Sequence, residues 1–121
     1  MITGGNATLF VASVGESLKF YSEILGLKVS SHYGEHWASV EAGTFTIGLH
    51  PKSDKYPAPG TRGSMMIGLG IDEPIAEAAA RLVSLGVPNV GEIQRDQGGS
   101  FLHFHDIDGN ELYLWEPVKW S

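Results

Sequence analysis

The sequence has 121 residues, 42% of them hydrophobic and 18% charged, which is the balance of an ordinary globular domain. Its net charge of −6 argues against a nucleic-acid partner, because no basic stripe is available to displace phosphate counterions, and it mildly favours cationic small molecules. Cysteine is absent, so disulfides, thiolate metal sites and cysteine nucleophiles are excluded. No segment has the pattern of a signal peptide or a membrane span, so we expect a cytoplasmic protein without a membrane partner.

The first half of the chain predicts a strand, a helix and three more strands. The segment NATLFVAS (6–13) alternates apolar with polar residues, as a half-buried strand does. Ser13 and Glu16 form an S-x-x-E capping box at the start of the helix, and Gly26 ends it. The apolar face of this helix comprises Val14, Leu18, Tyr21 and Leu25. The strands that follow are LKVSSHY (27–33), HWASVEA (36–42) and TFTIGLH (44–50).

The second half repeats this order. SMMIGLGI (64–71) alternates as a strand, Asp72 is the expected N-cap, and a helix is predicted over residues 74–86. This helix is expected to bury Ile75, Ala79, Leu82 and Leu85 and to stop at Gly86. A weaker strand near VGEIQR (90–95) precedes the hairpin FLHFHDIDGNELYLWE (101–116), whose turn is DIDGN.

The repetition indicates an internal duplication. Gly26 and Gly86 each end a helix within an LG(L/V) stretch, and they are separated by about half the chain. We therefore predict an α+β fold, in which two βαβββ modules form a cup-shaped mixed sheet within a single domain, 1–121. Module 1 covers about residues 1–50 and module 2 about residues 64–121. The segment between them, 51–63, is rich in proline and glycine, so it is expected to be a linker or a flap.

Alternation divides the strand residues into two sets. Each helix must cover one face of its sheet, so one set is expected to point at a helix and the other away from it. The helix-facing set is Leu9, Val11, Phe45, Ile47, Leu49, Met65, Ile67, Leu69, Leu102, Phe104, Leu112 and Leu114. The other set, named the mixed face because it combines rings with polar groups, is Asn6, Thr8, Phe10, Trp37, Ser39, Glu41, Thr46, Gly48, His50, Ser64, Met66, Gly68, Phe101, His103, His105, Glu111, Tyr113 and Trp115.

The mixed face predicts a pocket for an organic ligand. Aromatic rings with a few polar groups among them are typical of such pockets. If solvent surrounded the rings, they would form a costly exposed apolar patch. Plain exposure and burial in a dimer interface are the two alternatives. The rings in question are Phe10, Trp37, Phe101, Tyr113 and Trp115.

Two segments carry a resemblance to a known family. SLKFYSEILGLKV (17–29) and FLHFHDIDGNELYLWE (101–116), within the duplicated βαβββ order, resemble the vicinal oxygen chelate superfamily. That superfamily includes glyoxalase I, extradiol dioxygenases, fosfomycin-resistance transferases and bleomycin-resistance proteins. The resemblance covers essentially the whole chain and implies the fold, while it says little about the reaction. It also implies a homodimer, since members commonly pair and often build each cup from both chains.

Enzymes that this chain resembles usually hold a divalent metal with His, Glu or Gln at four strand positions, two in each half. The resemblance carries these positions to Asn6, Gly48, Met66 (or Ser64) and Tyr113. Asn is a weak ligand, Gly has no side chain, and Met and Tyr are poor partners for hard divalent ions. We therefore expect no metal ligands at these positions and no cofactor.

Two histidines leave other chemistry open. His50 and His103 both belong to the mixed face and are the alternative holders of a divalent metal, although no carboxylate is clearly placed to complete the shell. His103 is also the first candidate for catalysis, as a general base paired with Tyr113 or Glu111. In the fosfomycin-resistance branch of the superfamily that this chain resembles, a substrate-contacting aromatic residue stands at the matching position, so the resemblance places His103 inside the cup. A histidine that only orients the ligand is the other interpretation.

The sequence thus favours a metal-free protein that resembles bleomycin-resistance proteins and binds an aromatic or cationic organic ligand in an aromatic-lined cup. The alternative is a metal-dependent glyoxalase-, dioxygenase- or transferase-type enzyme that uses His50 and His103. A subunit whose aromatic face is a protein interface is a third option. The expected ligand-binding residues are Asn6, Thr8, Phe10, Trp37, Ser39, Thr46, His50, Met66, Phe101, His103, Glu111, Tyr113 and Trp115.

Overall fold

Two units make up the chain, unit 1 (Met1–Thr61) and unit 2 (Arg62–Ser121). The structure is a computed structural model, and it describes residues 6–56, 58–61 and 66–118. In unit 1 the elements are β1 (Asn6–Val11), α1 (Val14–Lys19), β2 (Lys28–Tyr33), β3 (Trp37–Ala42) and β4 (Phe45–Pro51). In unit 2 they are β5 (Ile67–Gly70), α2 (Ile75–Ser84), β6 (Gln94–Asp96), β7 (Gly99–His105) and β8 (Glu111–Pro117).

Each unit contains a four-stranded mixed sheet with the same topology. The strand orders are β1-β4-β3-β2 and β5-β8-β7-β6, and the first strand of each unit runs parallel to the last. The other neighbours are antiparallel. This arrangement confirms the predicted α+β fold and its two βαβββ modules. No helix in the described part of the chain is both long and apolar enough to cross a membrane.

The helix-facing set forms the core of each unit, as alternation predicts. Helix α1 packs on β3 and β4, and α2 packs on β7 and β8. Phe45 is the exception, because it begins β4 directly after the turn at Gly43 and is exposed. Met65 lies outside the described residues. The members that are buried are Leu9, Val11, Ile47, Leu49, Ile67, Leu69, Leu102, Phe104, Leu112 and Leu114.

The first helix begins where the capping box predicts but is shorter than expected. Ser13 Oγ accepts a hydrogen bond of 3.2 Å from the Glu16 N–H, whereas the Glu16 carboxylate lies 3.7 Å from Lys19 Nζ rather than bonding back. After Lys19 the backbone widens into one π-helical turn, Phe20–Ile24, which the apolar spacing does not predict. Gly26 follows with φ of +73°, so its expected role at the helix end is confirmed.

A distant carboxylate completes the cap of α1. Glu35, on the turn between β2 and β3, accepts hydrogen bonds of 2.8 Å from the Val14 N–H and 2.8 Å from the Gly15 N–H. The Ser13 hydroxyl also donates to it, at 3.2 Å. Negative charge at this end of a helix is stabilising because the first N–H groups have no partner within the helix.

Two predictions about α2 are wrong. The N-cap is Pro74 rather than Asp72, and Pro74 has no side-chain acceptor, so Glu116 Oε1 accepts from the Ile75 N–H at 2.9 Å instead. The buried face comprises Ile75, Ala78 and Leu82 rather than the expected set with Ala79 and Leu85. Ala79 is half-buried, and Leu85 is exposed because the helix ends at Ser84 and the backbone leaves helical geometry at Leu85.

The strand expected over residues 90–95 is also shorter than predicted. Only Gln94–Asp96 pairs with β7, while the Gly91 N–H donates to the His103 carbonyl at 2.8 Å outside the regular ladder. The predicted turn after β7 is present. Buried Asp106 fixes it, since Asp106 Oδ1 accepts from the N–H groups of Asp108 and Asn110 at 2.9 and 2.8 Å.

Replacing Glu35 tests whether its carboxylate stabilises the start of α1. Glu35→Ala removes both backbone hydrogen bonds, so we expect the free energy of unfolding to fall by about 1 kcal/mol. Glu16→Ala is the matched control, because its exposed ion pair with Lys19 is worth at most about 0.5 kcal/mol. Urea unfolding measures both. Equal losses in the two variants would contradict the capping role.

Candidate functional site

The mixed face of unit 1 brings its predicted site residues side by side on β1, β4 and β3. The register of β1 with β4 sets Asn6 opposite Thr46 and Phe10 opposite His50. Ser39 of β3 stands opposite Gly48 and is buried. The remaining predicted residues of this face, Thr8 and Trp37, are half-buried, whereas Asn6 at the start of β1 is exposed.

Trp37 lies over the backbone of Gly48. A Cβ built on Gly48 would overlap the indole at Cη2, so glycine at this position makes room for the ring. The indole N–H donates to Ser31 Oγ at 3.1 Å, and Ser31 in turn shares a hydrogen bond with Ser39. The indole therefore packs directly on the Gly48 backbone, and its hydrogen bond to the Ser31 hydroxyl fixes its orientation.

Phe10 contacts two other rings. The His50 imidazole meets it edge-on, with ring centroids 5.3 Å apart and an interplanar angle of 67°. Tyr56 stacks on it, with centroids 4.3 Å apart and an angle of 23°. Tyr56 was not among the predicted site residues. It belongs to the 51–63 segment, which was not predicted as a strand, so alternation could not assign its side chain to a sheet face. Its being the single aromatic residue of that segment is the signal that could have drawn attention to it.

The His50 ring has a defined tautomer. Its Nδ1 lies 2.8 Å from the Pro51 carbonyl oxygen, and a carbonyl can only accept a hydrogen bond. In the neutral ring Nδ1 therefore carries the proton, which leaves Nε2 as the atom able to accept a proton or bind a metal.

In unit 2, the mixed face centres on Tyr113. The register of β7 with β8 places His103 opposite Tyr113 and Phe101 opposite Trp115. The centroid of the Tyr113 ring lies 5.3 Å from that of His103 and 6.1 Å from that of Phe101. Tyr113 also lies over Gly68 of β5, where an added Cβ would overlap the phenol ring. The same device, a ring over a glycine, thus occurs in both units.

Other predicted residues of unit 2 lie toward the margin of this group. The indole N–H of Trp115 donates to the Gly98 carbonyl at 2.9 Å, and Trp115 is exposed. Met66 is exposed just before β5, and Glu111 is half-buried opposite His105. Ring contacts therefore bring Phe101, His103 and Tyr113 into one group, and Met66 and Glu111 are not part of it.

The residues at the four expected metal positions do not fit a divalent cation. Asn6 offers one side-chain amide oxygen. Gly48 has no side-chain ligand and is covered by Trp37, and the Tyr113 ring packs against His103. Met66 offers a thioether, a poor ligand for hard ions, and Ser64 lies outside the described residues. Within residues 6–56, 58–61 and 66–118, no three His, Asp or Glu side chains cluster as metal ligands.

The sequence model of the glyoxalase/bleomycin resistance protein/dioxygenase superfamily matches residues 5–114. The chain belongs to this superfamily. Its members share the fold whose strand order and helix placement are described above, so the resemblance noted in the sequence is confirmed. No curated protein sequence matches the chain significantly.

Solved structures of the superfamily fold resemble the chain over nearly its full length. TnmS3, an antibiotic binding protein from Streptomyces sp. CB03234, is 25% identical with a TM-score of 0.74, covering 98% of this chain and 99% of that one. The fosfomycin resistance protein FosX from Listeria monocytogenes is 20% identical with a TM-score of 0.77, covering 98% and 96%. Lactoylglutathione lyase from Agrobacterium tumefaciens is 17% identical with a TM-score of 0.74, covering 96% and 94%.

The ring-over-glycine packing is testable with two neighbouring glycines of β5. Gly68→Ala must displace the Tyr113 ring, so we expect unfolding to become easier by about 1–3 kcal/mol. Gly70→Ala is the control on the same strand, because its nearest contact would lie at 4.0 Å, an ordinary distance, and we expect a change within about 0.5 kcal/mol. Thermal unfolding measures both, and the Tyr113 ring resonances should shift in the first variant alone. If Gly68→Ala behaves like Gly70→Ala, Tyr113 does not lie over Gly68.

Proposed function

We propose that this protein binds a small aromatic or cationic organic ligand on its mixed faces without using a metal. The observation that carries the proposal is the placement of Trp37 over Gly48 and Tyr113 over Gly68. At two of the four strand positions where related enzymes are expected to hold metal ligands, this chain has a glycine covered by a ring, Gly48, and a tyrosine, Tyr113. Rings held in this way suit recognition by stacking rather than by coordination.

The ring environment supports stacking for a physical reason. A ring backed by a glycine has lost most of its rotational freedom before any ligand arrives, so little further entropy is lost on binding. Trp37, Phe101, His103 and Tyr113 are half-buried, which leaves part of each ring open to contact. The aromatic π-face attracts both flat rings and cations. These properties favour an aromatic or cationic ligand over a phosphate, because the π-face is electron-rich.

The relatives support the same class of function. TnmS3 is an antibiotic binding protein, and FosX is a fosfomycin resistance protein. We propose an antibiotic-like organic compound as the ligand and a cytoplasmic homodimer as the form that binds it. The predicted ligand-binding residues and the single domain over 1–121 are part of this proposal.

One observation favours a second candidate function, a metal-dependent enzyme of the same superfamily. The Nδ1–H of His50 donates to the Pro51 carbonyl, which orients Nε2 as a base or as a metal ligand. His103 lies on the corresponding face of the other unit, beside Tyr113, and is the candidate catalytic residue. A carboxylate close to either histidine would strengthen this case, and Glu111 stands opposite His105 rather than beside His103.

Tryptophan fluorescence tests the first candidate. We expect 9-aminoacridine, a flat cation, to quench the emission with saturation, because it stacks on the mixed face. Trp37→Phe should remove much of the quenching. Ethylenediaminetetraacetate should leave the affinity unchanged within about twofold, since no metal takes part.

The control in this titration is Val83→Ala, an exposed substitution on α2, the helix that packs on β7 and β8 and contributes no residue to the mixed face. We expect 9-aminoacridine to quench the emission of this variant as it quenches that of the unaltered protein. A quenching curve that disappears on adding the chelator would contradict metal-free binding.

Elemental analysis of untagged protein tests the second candidate. We expect less than about 0.1 equivalent of Zn, Mn, Fe or Ni per chain, because the described residues give these ions too few ligands. One equivalent of metal that is lost in both His50→Ala and His103→Ala, but retained in His36→Ala, would favour the enzyme instead.

A further inference from the structure

The stacked pair of Phe10 and Tyr56 has two unequal partners. Phe10 sits on β1, where the parallel register with β4 and the edge contact of His50 hold its position. Tyr56 sits beyond the end of β4, in a turn held by its own N–H to the Ser53 carbonyl at 3.4 Å. One ring is therefore fixed by the sheet, and the other is attached to it through a short surface turn.

The Tyr56 ring is easily separated from Phe10. Tyr56 is 42% exposed. Its ring contacts the Phe10 ring and has the Lys55 ammonium 5.8 Å from its centroid. A stacked ring pair of this kind shifts an equilibrium by only about tenfold. A small change in the 53–56 turn can therefore open the pair without disturbing the sheet.

A flat ring inserted between the two would gain more than it displaces. It would stack on Phe10 on one side and on Tyr56 on the other, replacing one ring contact by two. Saturated rings lack the flat face that such a gap requires. Because Tyr56 already has Lys55 as a cation partner, a positive charge on the ligand gains little there, and flatness matters more than charge.

We propose that Tyr56 is a specificity-determining residue, which closes over Phe10 and clamps a flat conjugated ring system between the two side chains. This proposal rests on the proposed function, since it assigns a ligand class to the mixed face of unit 1. It adds Tyr56, a residue outside the strands, to the site. It also predicts that the site prefers ligands with flat conjugated rings to ligands with saturated rings.

Two probes with the same ring system and opposite charge test the clamp: 9-aminoacridine and acridine-9-carboxylate. We expect both to bind the unaltered protein, and Tyr56→Ala to weaken both by about tenfold. Tyr56→Phe, which retains the ring, should bind within about twofold of the unaltered protein. Tyr33→Ala is the matched control, because Tyr33 is 67% exposed on β2 of the same unit and should have no effect.

Binding rates add a second readout. A residue that closes over a bound ring slows its release, so Tyr56→Ala should raise the dissociation rate constant about tenfold and change the association rate constant by less than about threefold. Stopped-flow fluorescence measures both. Since Tyr56 is an exposed turn residue, circular dichroism should show an unaltered fold.

The outcomes separate this inference from the proposed function. If Tyr56→Ala binds both acridines as tightly as Tyr33→Ala does, the clamp is overturned while ligand binding stands. If the unaltered protein binds neither acridine at about 1 mM, both the clamp and the proposed function are overturned. If a saturated cation of similar size, dicyclohexylammonium, loses as much affinity in Tyr56→Ala as the acridines do, the rule of flatness is wrong.

Discussion

The packing of an aromatic ring over a glycine is the constraint on which the rest of this account depends. Trp37 over Gly48 and Tyr113 over Gly68 bring a ring close to a strand's backbone in both units, which any side chain at the glycine would prevent. The glycine gives up strand stability, since it has no side chain to pack. In return, the backbone of the neighbouring strand fixes the position of the ring.

The two units use the same arrangement from different strands. In unit 1 the ring comes from β3 and the glycine from β4, whereas in unit 2 the ring comes from β8 and the glycine from β5. Both solutions involve a position where related enzymes are expected to carry a metal ligand, Gly48 in one unit and Tyr113 in the other. At the first of these positions the ring of a neighbouring strand covers a glycine, and at the second the residue itself supplies the ring.

Alternation made the fold and the composition of the mixed face predictable. The period of two separates buried Leu102 and Phe104 from half-buried Phe101 and His103, and local signals such as Gly26 and Gly86 place the helix ends. The caps from Glu35 and Glu116 could not be read from the sequence, because each reaches a helix start that is distant along the chain. The contact of Tyr56 with Phe10 could not be predicted for the same reason. The Tyr56 ring belongs to a turn, and only the folded backbone brings it onto Phe10.

Native mass spectrometry of untagged protein, taken directly from the cells that make it, tests the central claim most directly. The mass difference between the native and the denatured protein identifies any compound that the protein retains. We expect an organic compound with a conjugated ring system, which is released on denaturation and is unaffected by prior dialysis against a chelator. A stoichiometric Zn, Mn, Fe or Ni adduct that the chelator removes would contradict it.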